Sequence, residues 1–180
     1  MNLNKNNSEK VNLDQLLGKL QKEDNNYSNL CKALKLIYWI LIPLYTLMAI
    51  LTYFETKEIN DLIGGLLFVV SFLIFALVMG NFQKEYKNAD YSLPTLSMLK
   101  KAVQRYQPFR AKSIWAFVAF FVMDAGFCMS SNFSSRAIEF QVYIIGLFFA
   151  AVAVGLIIWY FKYKPLRDNA LAIIAEIEGE

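Results

Sequence analysis

The chain carries four apolar runs, each about as long as a helix must be to cross a lipid bilayer. They are residues 36–54, 62–82, 113–131 and 142–161. A hydrocarbon core about 30 Å thick requires about 20 apolar residues in a helix. The composition is 57% hydrophobic and 18% charged, whereas soluble domains average about 45–50% and about 25%. Because the apolar excess is concentrated in these runs, the sequence predicts an all-α, integral membrane four-helix bundle with cytoplasmic amphipathic helices.

The runs and the polar stretches around them divide the chain into five segments. In chain order they are a cytoplasmic amphipathic segment (1–35), a first transmembrane hairpin (36–82), a basic cytoplasmic loop with an amphipathic helix (83–112), a second transmembrane hairpin (113–161) and a cytoplasmic C-terminal helix (162–180). The lipid bilayer is therefore the first predicted partner of this chain.

The positive charges predict the orientation of the spans. All but two of the 18 Lys and Arg residues, Lys57 and Arg136, lie in the first, third and fifth segments. Short loops rich in Lys and Arg remain in the cytoplasm. Trp39, Trp115 and Trp159 lie near the same ends of the spans, where interfacial aromatic residues are enriched. The pattern predicts a multi-pass protein of the cell inner membrane with both termini in the cytoplasm.

The cytoplasmic segments show helical periodicity, with apolar residues three and four positions apart. Such faces can dock a soluble protein, and we expect a cytoplasmic partner there. The candidate partner-binding residues are Leu13, Leu17, Leu20, Leu96, Leu99, Val103 and Tyr106. The sequence therefore predicts a non-enzymatic regulatory or scaffolding protein that holds a soluble partner at the membrane.

Two junctions leave alternatives open. Residues 23–26 are poor helix formers and predict a break, but Asp24 and Tyr27 also continue the 4–3 spacing of the preceding leucines, which allows one continuous helix. Pro165 begins a third amphipathic segment, which is either a separate helix or a kinked continuation of the fourth span.

A basic face on the central amphipathic helix has a second interpretation. Lys100, Lys101 and Arg105 can lie against anionic lipid, where each charge contributes about 1 kcal/mol. Much of this charge follows from the orientation rule, so nucleic acid is not a predicted partner.

Asp124 is the only charged residue in the four runs. A carboxylate at that depth costs roughly 2.5–3.5 kcal/mol on insertion scales, so it should face protein or water. It has three interpretations: a neutral carboxyl that hydrogen-bonds between helices, a contact with another membrane protein, or the proton or ion site of a small transporter or channel component. The candidate hydrogen-bond partners are Tyr45, Thr46, Ser71 and Asn81.

Other chemistry has little support. The chain has no His, and its two Cys, Cys31 and Cys128, do not form a metal-binding pattern. Nucleotide-binding and hydrolase motifs are also missing. We therefore predict no enzyme activity, no cofactor and no metal.

Small residues four apart, in 146–150 and 151–155, indicate close helix packing, either within the chain or in a homodimer.

Three stretches, 12–17, 91–102 and 105–109, resemble those of uncharacterised small bacterial four-span inner-membrane proteins. Some proteins of this general layout are suspected of tethering a soluble regulator, in the manner of membrane anti-sigma factors. The resemblance implies a regulatory role at the level of the fold, and it assigns no functional residue.

Overall fold

The structure, a computed structural model, describes residues 3–130 and 137–179, and it describes side chains for 13–130 and 138–179. The described residues form helices and no strands. The helices are α1 (Leu3–Thr56), α2 (Ile59–Lys87), α3 (Thr95–Arg105), α4 (Ile114–Met129), α5 (Ala137–Ile158) and α6 (Lys164–Gly179). A 3-10 turn, Ala111–Ser113, precedes α4, and a π-helical turn, Trp159–Tyr163, joins α5 to α6.

Four helical stretches among the described residues are long and apolar enough to span a membrane. They are Leu13–Thr56, Ile59–Lys87, Ala111–Met129 and Ile138–Gly179. The predicted all-helical class and the four predicted candidate spans are thus confirmed. Three of these stretches contain a whole apolar run, and Ala111–Met129 contains residues 113–129 of the third run, because a run of about 20 residues without a strong breaker favours a helix.

Helix α1 continues through both positions that could have interrupted it, residues 23–26 and Pro43. The break that residues 23–26 predicted is therefore wrong, and the continuous alternative is correct. At the other end of the chain, the helix also continues from α5 to α6. Pro165 has no backbone N–H that could donate a hydrogen bond to a carbonyl of the preceding turn. The π-helical turn, in which the helix is wider, lies immediately before α6.

The chain divides into two compact units. Unit 1 consists of Met1–Asn29, Lys84–Phe109 and Ala153–Glu180. Its core contains apolar residues of all three amphipathic helices, because each has an apolar face that needs cover. The buried apolar side chains of this core include Leu16, Leu20, Met98, Leu99, Ala102, Leu166, Ala170 and Ile174.

Unit 2 consists of Leu30–Gln83 and Arg110–Val152. Two glycines bring α2 and α4 close together: a Cβ on Gly64 would lie 2.8 Å from the carbonyl oxygen of Gly126, and a Cβ on Gly126 would lie 2.9 Å from that of Gly64. Nearby, the Ser71 hydroxyl donates to the carbonyl of Ala119 at 2.8 Å. Small residues and hydroxyl-to-backbone bonds are the usual means by which apolar helices associate in lipid.

The small residues of the fourth run do not form a similar contact. Gly146 and Gly155 have open space where a Cβ would stand, and Ala150 and Ala151 are exposed. Helix α5 instead contacts α4 through rings, with Phe120 and Phe148 stacked at 4.0 Å. The described residues do not show the first interpretation of these small residues, close packing within the chain. The second interpretation, a homodimer, stays a prediction.

The glycine contacts generate a stability prediction. We expect Gly126→Ala to lower the free energy of unfolding by about 1–3 kcal/mol, because its methyl group would overlap a backbone oxygen that cannot move freely. The measurement is thermal unfolding of the full chain in detergent, followed by circular dichroism.

Gly146→Ala is the matched control. It adds the same methyl group in open space and should leave the transition unchanged or raise it, since alanine favours helix by about 1 kcal/mol over glycine. Equal transition temperatures for Gly126→Ala and the unchanged chain would contradict the close approach of α2 and α4.

Candidate functional site

A buried carboxylate, that of Asp24 in α1, lies at the centre of unit 1 with a side chain only 2% exposed. The Arg105 guanidinium forms an ion pair with it, with Nη2 2.8 Å from Oδ2. The Tyr91 hydroxyl donates to Oδ2 at 2.5 Å, and the Tyr106 hydroxyl donates to Oδ1 at 2.6 Å. Both oxygens of the carboxylate are therefore satisfied. These four residues form what we call the Asp24 centre.

The partners of Asp24 come from one region that lies 67 to 82 residues further along the chain. Tyr91 belongs to the connection between α2 and α3, where a local turn fixes its backbone: Ser92 donates to the Asp90 carboxylate through both its N–H, at 2.9 Å, and its hydroxyl, at 2.7 Å. Arg105 and Tyr106 end α3. A short turn and a helix end thus present three donors to one face of α1.

Aromatic rings surround the centre. The Tyr86 hydroxyl donates to the carbonyl of Arg105 at 2.9 Å, and its ring lies 4.4 Å from that of Tyr27. Tyr163, in the π-helical turn, stacks on Tyr106 at 5.6 Å. Close ring pairs of this kind add about 0.5–1.5 kcal/mol each beyond their buried area. Through Tyr163, the rings therefore connect the π-helical turn to the Asp24 centre.

The electrostatics keep both phenols protonated. Burial raises the pKa of Tyr91 well above its usual value, and its hydrogen bond to Asp24 adds to the effect. Burial followed by the charge of Asp24 raises the pKa of Tyr106 in the same direction. A phenol beside a carboxylate resists ionisation because two negative charges would then share one buried site. The centre thus pairs one anion with one cation and two neutral donors, an arrangement suited to holding chain segments together.

A groove of about 470 Å³ opens beside the Asp24 centre. Asp24 and Tyr91 belong to its wall, and exposed Lys22 and Lys87 lie along it. Gln21 and Asn25 add exposed amides. Its exposed lining is mainly polar, with two cations and groups that can both donate and accept hydrogen bonds. We call it the Lys22–Lys87 groove.

The predicted partner-binding residues lie in different environments. Leu20 and Leu99 are 0% exposed and Tyr106 is 3% exposed, so all three belong to the core of unit 1. The remaining four, Leu13, Leu17, Leu96 and Val103, are half-buried. The sequence identified the apolar faces, but it could not show that the amphipathic helices cover one another. Whether any of these residues binds a partner stays a prediction.

The predicted lipid-facing residues are also separated. Lys100 and Lys101 are exposed, and Lys100 pairs with Glu178 at 2.5 Å. Arg105 is 8% exposed and belongs to the Asp24 centre, which differs from the exposed position expected for it. The reason lies in the face that α3 buries: Met98, Ala102 and Arg105 follow i, i+4, i+7 spacing and therefore share one side of the helix.

Asp124 lies on the face of α4 that meets α5. Phe120 and Phe127, one turn before and after it, contact Phe148 at 4.0 Å and Phe140 at 5.0 Å. Residues at i, i+4 and i+7 share a helix face, so Asp124 points between these two ring contacts. Its Oδ1 is buried and has no hydrogen-bond partner among the described residues.

The four candidate partners of Asp124 are occupied elsewhere or exposed. Thr46 donates to the carbonyl of Ile42 at 2.8 Å, and Ser71 donates to that of Ala119. The ring of Tyr45 packs on Phe72 at 4.9 Å, and Asn81 is exposed.

Sequence reasoning missed the Asp24 centre, although one signal was present. Asp24 occupies an apolar position of the 4–3 repeat in α1, where a charged residue is almost never buried unless it is paired. That position required a cation or several donors elsewhere in the chain. Local spacing could not identify Tyr91 and Arg105 as those donors.

No protein-family model, curated protein or solved structure matches this chain. Among the described residues, no group of three or more His, Cys, Asp or Glu side chains is placed to hold a metal ion. The absence of a cofactor and of enzyme activity both stay predictions.

The raised phenol pKa values predict a loss of stability at alkaline pH. Tyr106 and Tyr91 have higher pKa values in the folded chain than in the unfolded chain, where the value is about 10. Their contribution to the free energy of unfolding is therefore complete below about pH 10. It is lost as the pH rises above that value, since unfolding then allows the phenols to ionise. We expect the unfolding midpoint in detergent to change little up to about pH 10 and to fall as the pH rises from about 10 to about 12.

Tyr106→Phe separates this effect from general alkaline unfolding. It should cost about 1.5–3 kcal/mol at neutral pH, by removing a hydrogen bond to a charged group, and it should flatten the alkaline decline. Tyr143→Phe, at an exposed position, should retain the decline of the unchanged chain. An unaltered decline in Tyr106→Phe would contradict the assignment.

Proposed function

We propose that this chain is a non-enzymatic, multi-pass protein of the inner membrane, with both termini in the cytoplasm, that docks a soluble protein partner on unit 1. The four long apolar helices support membrane insertion. Unit 2 also exposes many large apolar side chains, including Leu44, Leu47, Phe121, Leu147 and Phe149. Exposed apolar surface of this extent marks contact with lipid or with another protein.

The docking surface that we propose is the Lys22–Lys87 groove. The apolar faces of the amphipathic helices are less suitable, because Leu20 and Leu99 would meet a partner only if unit 1 opened. Lys22 and Lys87 are exposed already. Two cations flanked by amides complement an acidic segment of a partner, since matching charge favours rapid and selective encounter.

The Asp24 centre is the observation that carries this proposal. It joins α1 to the connection that contains Tyr91, and both of these lie in the wall of the groove. Lys22 precedes Asp24 by two residues, and Lys87 precedes Tyr91 by four. Fixing Asp24 against Tyr91 therefore limits the separation of the two cations. A preorganised surface binds more tightly because less ordering is needed on binding.

A second candidate function uses Asp124 as an intramembrane proton or ion site in a small transporter or channel component. The unpartnered Oδ1 favours it, because a buried carboxyl oxygen without a hydrogen bond is costly and such groups mark ion or proton sites. A proton flux into liposomes that Asp124→Asn abolishes would support this candidate over docking.

The docking proposal predicts a charge-dependent contact at Asn25, an exposed residue of the groove. A photoreactive amino acid there should cross-link one soluble acidic protein in native membranes. The double variant Lys22→Glu and Lys87→Glu should reduce the yield at least tenfold, because like charges across an interface cost several kcal/mol. The yield should also fall as salt rises.

Lys101→Glu is the control, because it makes one such charge reversal at an exposed position outside the groove. It should leave the cross-link intact. A cross-link that survives the double reversal, or that Lys101→Glu removes equally, would refute the groove as the docking surface.

A further inference from the structure

A second groove, of about 720 Å³, lies in unit 2 between α2 and the beginning of α4. On the α2 side, Ile74, Leu77 and Val78 contribute apolar lining, and Asn81 follows about one turn later. On the other side lie Lys112, in the 3-10 turn, and Trp115, in the first turn of α4. Its volume falls within the range of small-molecule sites, about 300–1,000 Å³.

The lining of the groove includes both apolar and cationic side chains. Leu77 is 56% exposed and so offers apolar surface that is already free of protein contact. Lys112 is exposed. Phe82 also lines the groove, and its ring lies 5.6 Å from the Arg110 guanidinium carbon. That cation–π contact holds a second positive charge near the groove.

Trp115 also lines the groove and is 59% exposed. An indole ring has an apolar body and one N–H donor, and tryptophan is enriched at the headgroup level of membranes for that reason. The groove therefore combines the three kinds of group that a phospholipid contacts: apolar side chains for an acyl chain, an indole for the interfacial ester region and cations for the phosphate.

We propose that this groove is a binding site for an anionic phospholipid. The phosphate lies at Lys112 and Arg110, and one acyl chain lies along Ile74 and Leu77. This site differs from the basic face of α3, because its cations precede α4 and belong to unit 2. The inference depends on the proposed insertion of unit 2 into a membrane, and it adds selectivity for lipid charge.

The test uses the full chain reconstituted into vesicles of phosphatidylcholine, with or without phosphatidylglycerol. Competition with a spin-labelled lipid gives the affinity for phosphatidylglycerol relative to phosphatidylcholine. We expect a clear preference for phosphatidylglycerol, and an about fivefold loss of that preference in Lys112→Gln, since one lysine near an anionic surface contributes about 1 kcal/mol. Lys112→Arg should retain the preference.

Lys101→Gln is the control, because it removes an exposed charge from α3 and leaves the groove unchanged. The site would be overturned if Lys101→Gln lost the preference for phosphatidylglycerol to the same extent as Lys112→Gln. It would also be overturned if Lys112→Gln left that preference unaltered. Failure of the chain to insert into phosphatidylcholine vesicles would instead refute the proposed membrane location, so the two failures are distinguishable.

Discussion

The buried charge of Asp24 is the constraint on which unit 1 depends. Burying a carboxylate that is 2% exposed is costly without donors, because the loss of hydration costs several kcal/mol. The donors come from residues 91, 105 and 106, far along the chain from α1. Satisfying one charge therefore fixes three separate parts of the chain. The pairing itself adds little net stability, because the cost of desolvation offsets most of the attraction.

The same interaction connects the fold to the proposed function. The rings around the Asp24 centre attach the π-helical turn through Tyr106 and Tyr163, and Trp159 donates to the carbonyl of Tyr106 at 2.8 Å. All three amphipathic helices thereby contribute to one core, which removes much of their apolar surface from contact with a partner. The exposed lining of the Lys22–Lys87 groove is mainly polar and carries two cations, so docking by complementary charge is the mode that this groove favours.

The sequence predicted the helices well and the contacts among them poorly. An apolar run of about 20 residues favours a long helix, so the four candidate spans followed from the length and position of the runs. The burial of Asp24 on α1 and of Arg105 on α3 did not follow from composition or spacing, because these two side chains pair across about 80 residues of sequence. Local reasoning placed Arg105 outside with its neighbouring lysines, since an arginine without a known partner belongs in water.

The most direct test of this account is a double-mutant cycle on Asp24 and Arg105, with unfolding free energies measured in mixed micelles. Asp24→Asn and Arg105→Met should each cost about 3–5 kcal/mol, because each leaves a buried group uncompensated. The double variant should cost well under the sum, with a coupling energy of about 1–3 kcal/mol. The exposed pair Lys100 and Glu178 should couple by less than about 1 kcal/mol. Additive costs for Asp24 and Arg105, or a coupling no larger than that of the exposed pair, would contradict the account.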